Sequence, residues 1–352
     1  MRGGTSKGPF FLETDLPSDI PQRDKVLLAV IGSPDDRQID GLGGAQPLTS
    51  KVGIVRKSET TGIDLEFLFA QLQPDSDLVD TTPNCGNMLA AAVPFAIETG
   101  LLTPVDGDST FRVLMRNTGT KSDITVTTSG GQMVYPGDAH IDGVPGTASP
   151  VKINFLDTAG SVCGSLLPTG HDKDLVDGLE VTCIDNGMPV VIFKASDMGC
   201  TGYETVTELN ANETLKAKIE ALRLKASLLM GLGDVTKKNY PKMCLIAPPK
   251  DGGSISTRCF IPHVCHEAVG VLAAVTIASA CILENSVCKG LAKVPEGLRK
   301  TISVEHPTGE FSMEIEVDPQ NPRNVEQVAL IRTARLLMKG FAMVPAKLFA
   351  GR

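Results

Sequence analysis

A set of dissimilar landmarks occurs twice in this chain, in the same order and at nearly constant spacing, and that repetition limits the folds open to it. Pro9, in KGPFFL, has a counterpart in Pro189, in GMPVVIF, 180 residues further on. Gly41-Leu42-Gly43 returns as Gly231-Leu232-Gly233 at an offset of 190, each after a stretch with helical spacing of apolar residues. In the second copy Leu215, Ile219, Leu222, Ala226 and Leu229 step by four and three. Lys51, in TSKVGIV, and Lys242, in YPKMCLI, lie 191 apart, and each opens a short apolar run of strand character. Cys85 and Cys265, 180 apart, each precede a helix of small apolar residues, GNMLAAAVPFAIETG and HEAVGVLAAVTIASA. The repeat predicts an α+β chain of two similar domains, 1–170 and 171–352. Each wraps its strands around one central apolar helix that starts just after a cysteine, and a functional cleft is expected between the two. The linker is expected in Leu166–Gly178 (LLPTGHDKDLVDG), rich in Gly, Pro and charge.

With 352 residues, each half is long enough to bury its own core. Lys and Arg number 33 against 41 Asp and Glu, a net charge of −8, which excludes a general attraction to nucleic acid or an anionic membrane. An anionic ligand must be caught locally. Nine cysteines, an odd number without paired spacing and without a leader sequence, predict free thiols in the cytoplasm. The stretch from Ala268 to Leu283 carries no charge, but it is shorter than the ~20 residues that a bilayer requires. Glu267 and Glu284 close it, and it reads as a buried core helix.

Several local patterns carry chemistry. In Pro83-Asn84-Cys85-Gly86-Asn87-Met88, Asn84 is a helix-capping residue, Gly86 admits a ligand to the backbone, and Cys85 stands at the helix start. The alternative is an ordinary capped helix with a small buried thiol. Lys51, entering a buried strand, is either a side chain reaching out at a sheet edge or an amine enclosed for service as a base. Gly41-Leu42-Gly43-Gly44 completes neither a P-loop nor a dinucleotide fingerprint. The opening octapeptide, with Arg2, Thr5, Ser6 and Lys7 among three glycines, suits a loop that holds an anion. Around Arg258-Cys259-Phe260-Ile261-Pro262-His263-Val264-Cys265-His266, no C-x-x-C pair supports a metal site. The better-placed roles are Arg258 on a substrate carboxylate and Cys265 or His266 at the second helix start. No metal, nicotinamide, flavin or pyridoxal phosphate is expected.

Taken together, MRGGTSKGPFFL, IDGLGG with LTSKVGIV, PNCGNML, CIDNGMPVV and IPHVCHEAVGV resemble the PrpF family of isomerases, most closely its 4-oxalomesaconate tautomerase branch, over nearly the whole chain. The resemblance implies a diaminopimelate-epimerase-like fold of two similar domains with the active site between them. It also implies cofactor-independent proton movement in unsaturated di- and tricarboxylates. The reactions are 4-oxalomesaconate tautomerisation or allylic isomerisation, with 2-methylaconitate cis–trans isomerisation and methylitaconate isomerisation as alternatives. Matched by motif, Lys51 is the catalytic lysine and Cys85 the conserved cysteine of the family. His266 matches a family-wide feature and Cys265 one of the branch, so a two-cysteine racemase mechanism is not implied. Family members are homodimers or larger, and they carry a strand-bearing segment ahead of the MRGG motif. Without it, Arg2 to Ser6 are expected to be poorly held.

On this reading neutral Lys51 removes a proton α, or vinylogously γ, to a carbonyl or carboxylate. Thr5, Ser6, Asn84, Gly86, Asn87, Met88 and Arg258 hold carboxylates and the resulting dienolate. Cys85 either exchanges protons or orients the substrate. A second class of function, an accessory protein to an aconitase-like iron–sulfur enzyme, demands a protein-facing surface instead. A true amino-acid epimerase demands a complete pair of facing cysteines.

Overall fold

The computed structural model describes residues 1–320 and 325–349. The chain divides into two compact units, one made of Met1–Leu156 with the segment from Arg332 onward, the other of Asp157–Ile331. The expected boundary at 170/171 falls inside the second unit, and the C-terminal segment returns to the first. Leu166–Gly178 is not a linker. Asp174–Val176 is a strand paired with Leu179–Asp185, and Val176 is buried in the core of the second unit. Its glycines and charges serve a hairpin.

The repeat is visible in the order of strands. In the first unit Phe10–Leu12 runs parallel to Lys51–Lys57, which pairs antiparallel with Leu65–Gln71. That strand is parallel to Gly107–Met115, which pairs antiparallel with Thr120–Ser129. The second unit repeats the pattern: Pro189–Lys194 is parallel to Lys242–Ala247, which is antiparallel to Ile255–Phe260. Ile255–Phe260 is then parallel to Arg299–His306, and the latter antiparallel to Gly309–Val317. Lys51 and Lys242 are each the first residue of equivalent strands.

Parallel strands require a crossover, and each unit supplies two. The first crossover in the N-terminal unit is the helix Ile20–Ile31, started by the Asp19 side chain accepting from Gln22 N–H at 3.0 Å. Its Leu27 and Ile31 pack on Val52, Ile54, Leu68 and Ala70, one face of the sheet. The corresponding helix of the second unit is Glu213–Leu229, whose Leu215, Ile219, Leu222 and Ala226 are buried as their spacing predicts, whereas Leu229, the last of the series, is exposed at the helix end.

The second crossover in each unit is the central apolar helix. In the second unit it is Val271–Ile282, buried from Ala273 to Ile282. Its two polar residues are satisfied: Thr276 Oγ1 accepts from Asn186 N–H (3.1 Å), and Ser279 Oγ accepts from Asn186 Nδ2 (2.9 Å). Among the described residues, no helix is long and apolar enough to cross a membrane. In the first unit the expected continuous helix is two pieces, Gly86–Leu89 and Ala92–Glu98. Pro94 accounts for the break, because it has no N–H to give to the carbonyl four residues earlier.

Candidate active site

The site grows from the strand Lys51–Lys57. Along a strand alternate residues share a face, so Val52 and Ile54 meet the outer helix while Lys51, Gly53 and Val55 look the other way, toward the central helices. Lys51 is 7 % exposed. Its ammonium end donates to Ser6 Oγ at 3.0 Å and lies 3.5 Å from Cys85 Sγ. The Phe69 ring centroid is 5.8 Å from Nζ, adding a cation–π attraction. Cys85, half-buried, is itself the N-cap of the helix Gly86–Leu89 and makes no side-chain cap bond, so Asn84 does not cap this helix as expected.

The opening loop is built around these groups. Gly4 has φ +50, and a Cβ there would fall 2.1 Å from Asn87 Oδ1. At Gly8 a Cβ would fall 1.8 Å from the carbonyl oxygen of Lys51. Both positions therefore require glycine, and the loop lies directly on the strand and helix that carry the lysine and the cysteine. Asn87 Nδ2 donates to Thr5 Oγ1 (2.9 Å), and Asn87 Oδ1 accepts from Arg332 Nε (3.1 Å). Asn84 Nδ2 donates to Thr118 Oγ1 (2.6 Å) and Thr120 Oγ1 (3.2 Å). The two asparagines thus use their amides to brace the loop and the helix start.

Lys51, Cys85, Ser6, Thr5 and Asn87 form one connected cluster, with Asn84 and Gly86 beside it. Met88 is fully buried beneath the loop and is a packing residue. Arg2 does not point at Lys51. It faces away from the central helices, with its Nη1 on the carbonyls of Gly4 and Thr333. Arg2 and Gly3 are not poorly held: they pair with Lys7 and Ser6 on one side and with Arg335 and Ala334 on the other. Arg332, buried and bonded to Asn87, was not singled out in the sequence.

Arg258, Cys265 and His266 belong to the second unit. Arg258 is buried, with Nε donating to Glu204 O (2.8 Å) and Nη1 to Thr257 O (2.8 Å). It props the backbone there. Cys265 is not at a helix start, because its helix begins at Val271 after Gly270. It is 2 % exposed, and burial pushes its thiol up to about 12. His266 is exposed and its Nδ1 accepts from Ala268 N–H (2.8 Å).

These differences predict which thiol reacts. Cys85, Cys163 and Cys200 are the half-buried cysteines. Burial and the nearby Asp185 push Cys163 up to about 12, and burial and Glu204 raise Cys200. Cys85 faces an ammonium instead of a carboxylate. Brief alkylation with iodoacetamide at pH 8, followed by peptide mass spectrometry, should label Cys85 first and leave Cys265 unmodified. Burial keeps Cys265 as the unreactive thiol at that pH.

The family model described as PrpF protein matches residues 1–345. The chain belongs to the PrpF family. The PrpF chain is 56 % identical over 344 residues to the (4E)-oxalomesaconate Delta-isomerase of Novosphingobium sp. strain KA1, covering 98 % of this chain and 96 % of that protein. It is 50 % identical over 351 residues to the 4-oxalomesaconate tautomerase of Pseudomonas putida, covering 100 % and 96 %. Among solved structures, a methylitaconate-delta-isomerase superposes with a TM-score of 0.86 at 32 % identity, over 100 % of this chain and 96 % of that one. The α+β architecture is therefore shared with an isomerase along the full length.

Proposed function

We propose that this PrpF protein is an isomerase that relocates a proton within 4-oxalomesaconate, with Lys51 and Cys85 as the proton-transfer pair. The observation that carries the reading is the enclosed amine of Lys51 lying 3.5 Å from a half-buried thiol. The two relatives named for 4-oxalomesaconate, at 56 % and 50 % identity, support the choice of substrate.

An ammonium with a thiolate and an amine with a thiol hold the same number of protons, so in either state one partner is a base and the other an acid. The base takes a proton from a carbon whose neighbouring carbonyl or vinylogous carboxylate accepts the electron pair. The C–H bond breaks, the pair moves into the conjugated system, and charge collects on oxygen as a dienolate. Return of one proton to a different atom completes the isomerisation with no net change of redox state. Ser6 Oγ, within 3.0 Å of Nζ, holds the amine in place. The N–H groups of Gly86 and Asn87, first-turn donors without helical acceptors, receive carboxylate oxygens. With a helix piece of only four residues, the axial dipole adds little, and the individual N–H donors carry the contact.

Methylitaconate is the second candidate, favoured by the full-length superposition on a methylitaconate isomerase. Parallel time courses with 4-oxalomesaconate, methylitaconate and trans-2-methylaconitate decide between them. The expected result is a kcat/KM for 4-oxalomesaconate at least about 100-fold above the other two, since unpaired polar groups in a site discriminate strongly between analogues. Preference for methylitaconate would transfer the protein to the second reading. Nine free cysteines support a reducing cytoplasmic location.

A further inference from the structure

The strand pair at the start of the chain has a second face. Gly3 lies opposite Ala334, and a Cβ on Gly3 would strike Asn87 O and approach Ala91, so this rung faces the central helices. By alternation the neighbouring rung, where Arg2 lies opposite Arg335, faces the other way. Lys7 stands opposite Arg2 on its other side, so three cations occupy one rung across three strands. Like charges directly opposite one another destabilise a sheet. None of the three makes a salt bridge among the described residues, and burial together with Arg335 pushes the Arg2 guanidinium below its ordinary pKa.

A cavity of about 330 Å³ opens at this place. Arg2, Arg335 and Thr333 line it together with Ile141, Val144 and Leu337, and no Asp or Glu is in its lining. Tyr135, also in the wall, gives its hydroxyl to Glu98 at 3.0 Å. Arg2 uses Nη1 on Gly4 O, Thr333 O and Thr333 Oγ1. Its Nε and Nη2, and the whole Arg335 guanidinium, have no protein acceptor among the described residues. Lys51, Ser6 and Cys85 are not in the lining, so this cavity is separate from the catalytic cluster.

We propose that the Arg2–Arg335 cavity is a second anion site that binds a small organic carboxylate. Guanidinium forks pair with carboxylate oxygens in parallel hydrogen bonds. The apolar wall covers the carbon skeleton, which a bare inorganic anion does not have. The site has a route to the catalytic cluster: the Arg2 Nη1 that would feel the anion also holds the turn at Gly4, from which Thr5 reaches Asn87 and Ser6 reaches Lys51. Occupancy therefore stiffens the loop that positions the catalytic lysine.

The test is isothermal titration calorimetry on the full chain with tricarballylate, a saturated tricarboxylate that cannot be isomerised, and separately with inorganic phosphate. Arg335 is exposed and outside the catalytic cluster, so Arg335→Gln is expected to fold and to keep its basal activity. Wild type should show a tricarballylate site in addition to the catalytic one, and this second site should weaken at least about 10-fold in Arg335→Gln and be largely kept in Arg335→Lys. Phosphate should bind that site at least about 10-fold more weakly than tricarballylate. Unchanged binding in Arg335→Gln, or no binding in wild type, overturns the proposal. Equal affinity for phosphate overturns the organic-carboxylate assignment. Binding is read without turnover, so the outcome does not depend on which substrate the enzyme isomerises.

Discussion

Replacing Lys51 by alanine should lower kcat for 4-oxalomesaconate about 10²- to 10⁴-fold, the usual contribution of a positioned acid–base group. On the transition-state scale this is about 2.7–5.4 kcal/mol. The loss should fall on kcat and leave KM within a few fold, because the N–H donors of Gly86 and Asn87 and the braced asparagines remain. Lys51→Met, which keeps most of the buried volume, separates chemistry from packing: it should melt close to wild type and be as inactive as the alanine variant. Added methylamine should restore part of the activity of Lys51→Ala, since the truncation leaves room beside Ser6 and Cys85 for a small amine. Near-normal activity in either variant would remove Lys51 from the reaction.

The second large effect is expected at Cys85. If the thiol is the partner that returns the proton, Cys85→Ala should reduce kcat by at least about 100-fold with little change in KM. Cys85→Ser should be nearly as slow, because a hydroxyl is a far weaker acid than a thiol, although its size suits the place beside Lys51. An orienting thiol would give the opposite split, a raised KM with kcat preserved. The close contact with Nζ makes the two substitutions non-additive: the Lys51→Ala, Cys85→Ala double variant should be no more than a few fold slower than the worse single one.

Much of the architecture was readable because the two halves preserve dissimilar landmarks in order. Proline, glycine pair, lysine and cysteine mark strand starts and crossovers, and those positions are fixed by backbone geometry. The seam was misread because a repeat gives a period and no boundary. The C-terminal strand Val325–Arg335 reaches back to Arg2 and Gly3, and such a return leaves no trace in spacing. The break in the first central helix was signalled by Pro94, while the start of the second at Val271 was hidden by the apolar run through Ala268 and Val269 that precedes Gly270.

In the candidate site, the structure brings Lys51 together with Ser6 and Cys85 across 45 and 34 residues of sequence, whereas Arg332 carried no motif. Lys51 and Cys85 were marked by the family motifs in which they stand, and the MRGGTS loop by its glycines. Arg332 stands in a β-rich run, and its partner Asn87 is 245 residues away. The one available signal was a cation among the apolar residues of VALIRTAR. Arg2 was seen as an anion-binding residue, but its direction depends on strand alternation beside Gly3, which the sequence alone did not reveal. Arg258 and Cys265 had the right chemistry, yet their donors and thiol are used or enclosed within their own unit.

The central claim is that this protein moves a proton between atoms of its substrate through an enzyme-held base. Proton NMR of 4-oxalomesaconate in D2O tests it directly. The account predicts rapid conversion that depends on the enzyme, with solvent deuterium at the newly formed C–H and a rate lowered about 10²- to 10⁴-fold by Lys51→Ala. Conversion at the wild-type rate by Lys51→Ala, or no conversion and no exchange with the wild-type protein, would contradict it.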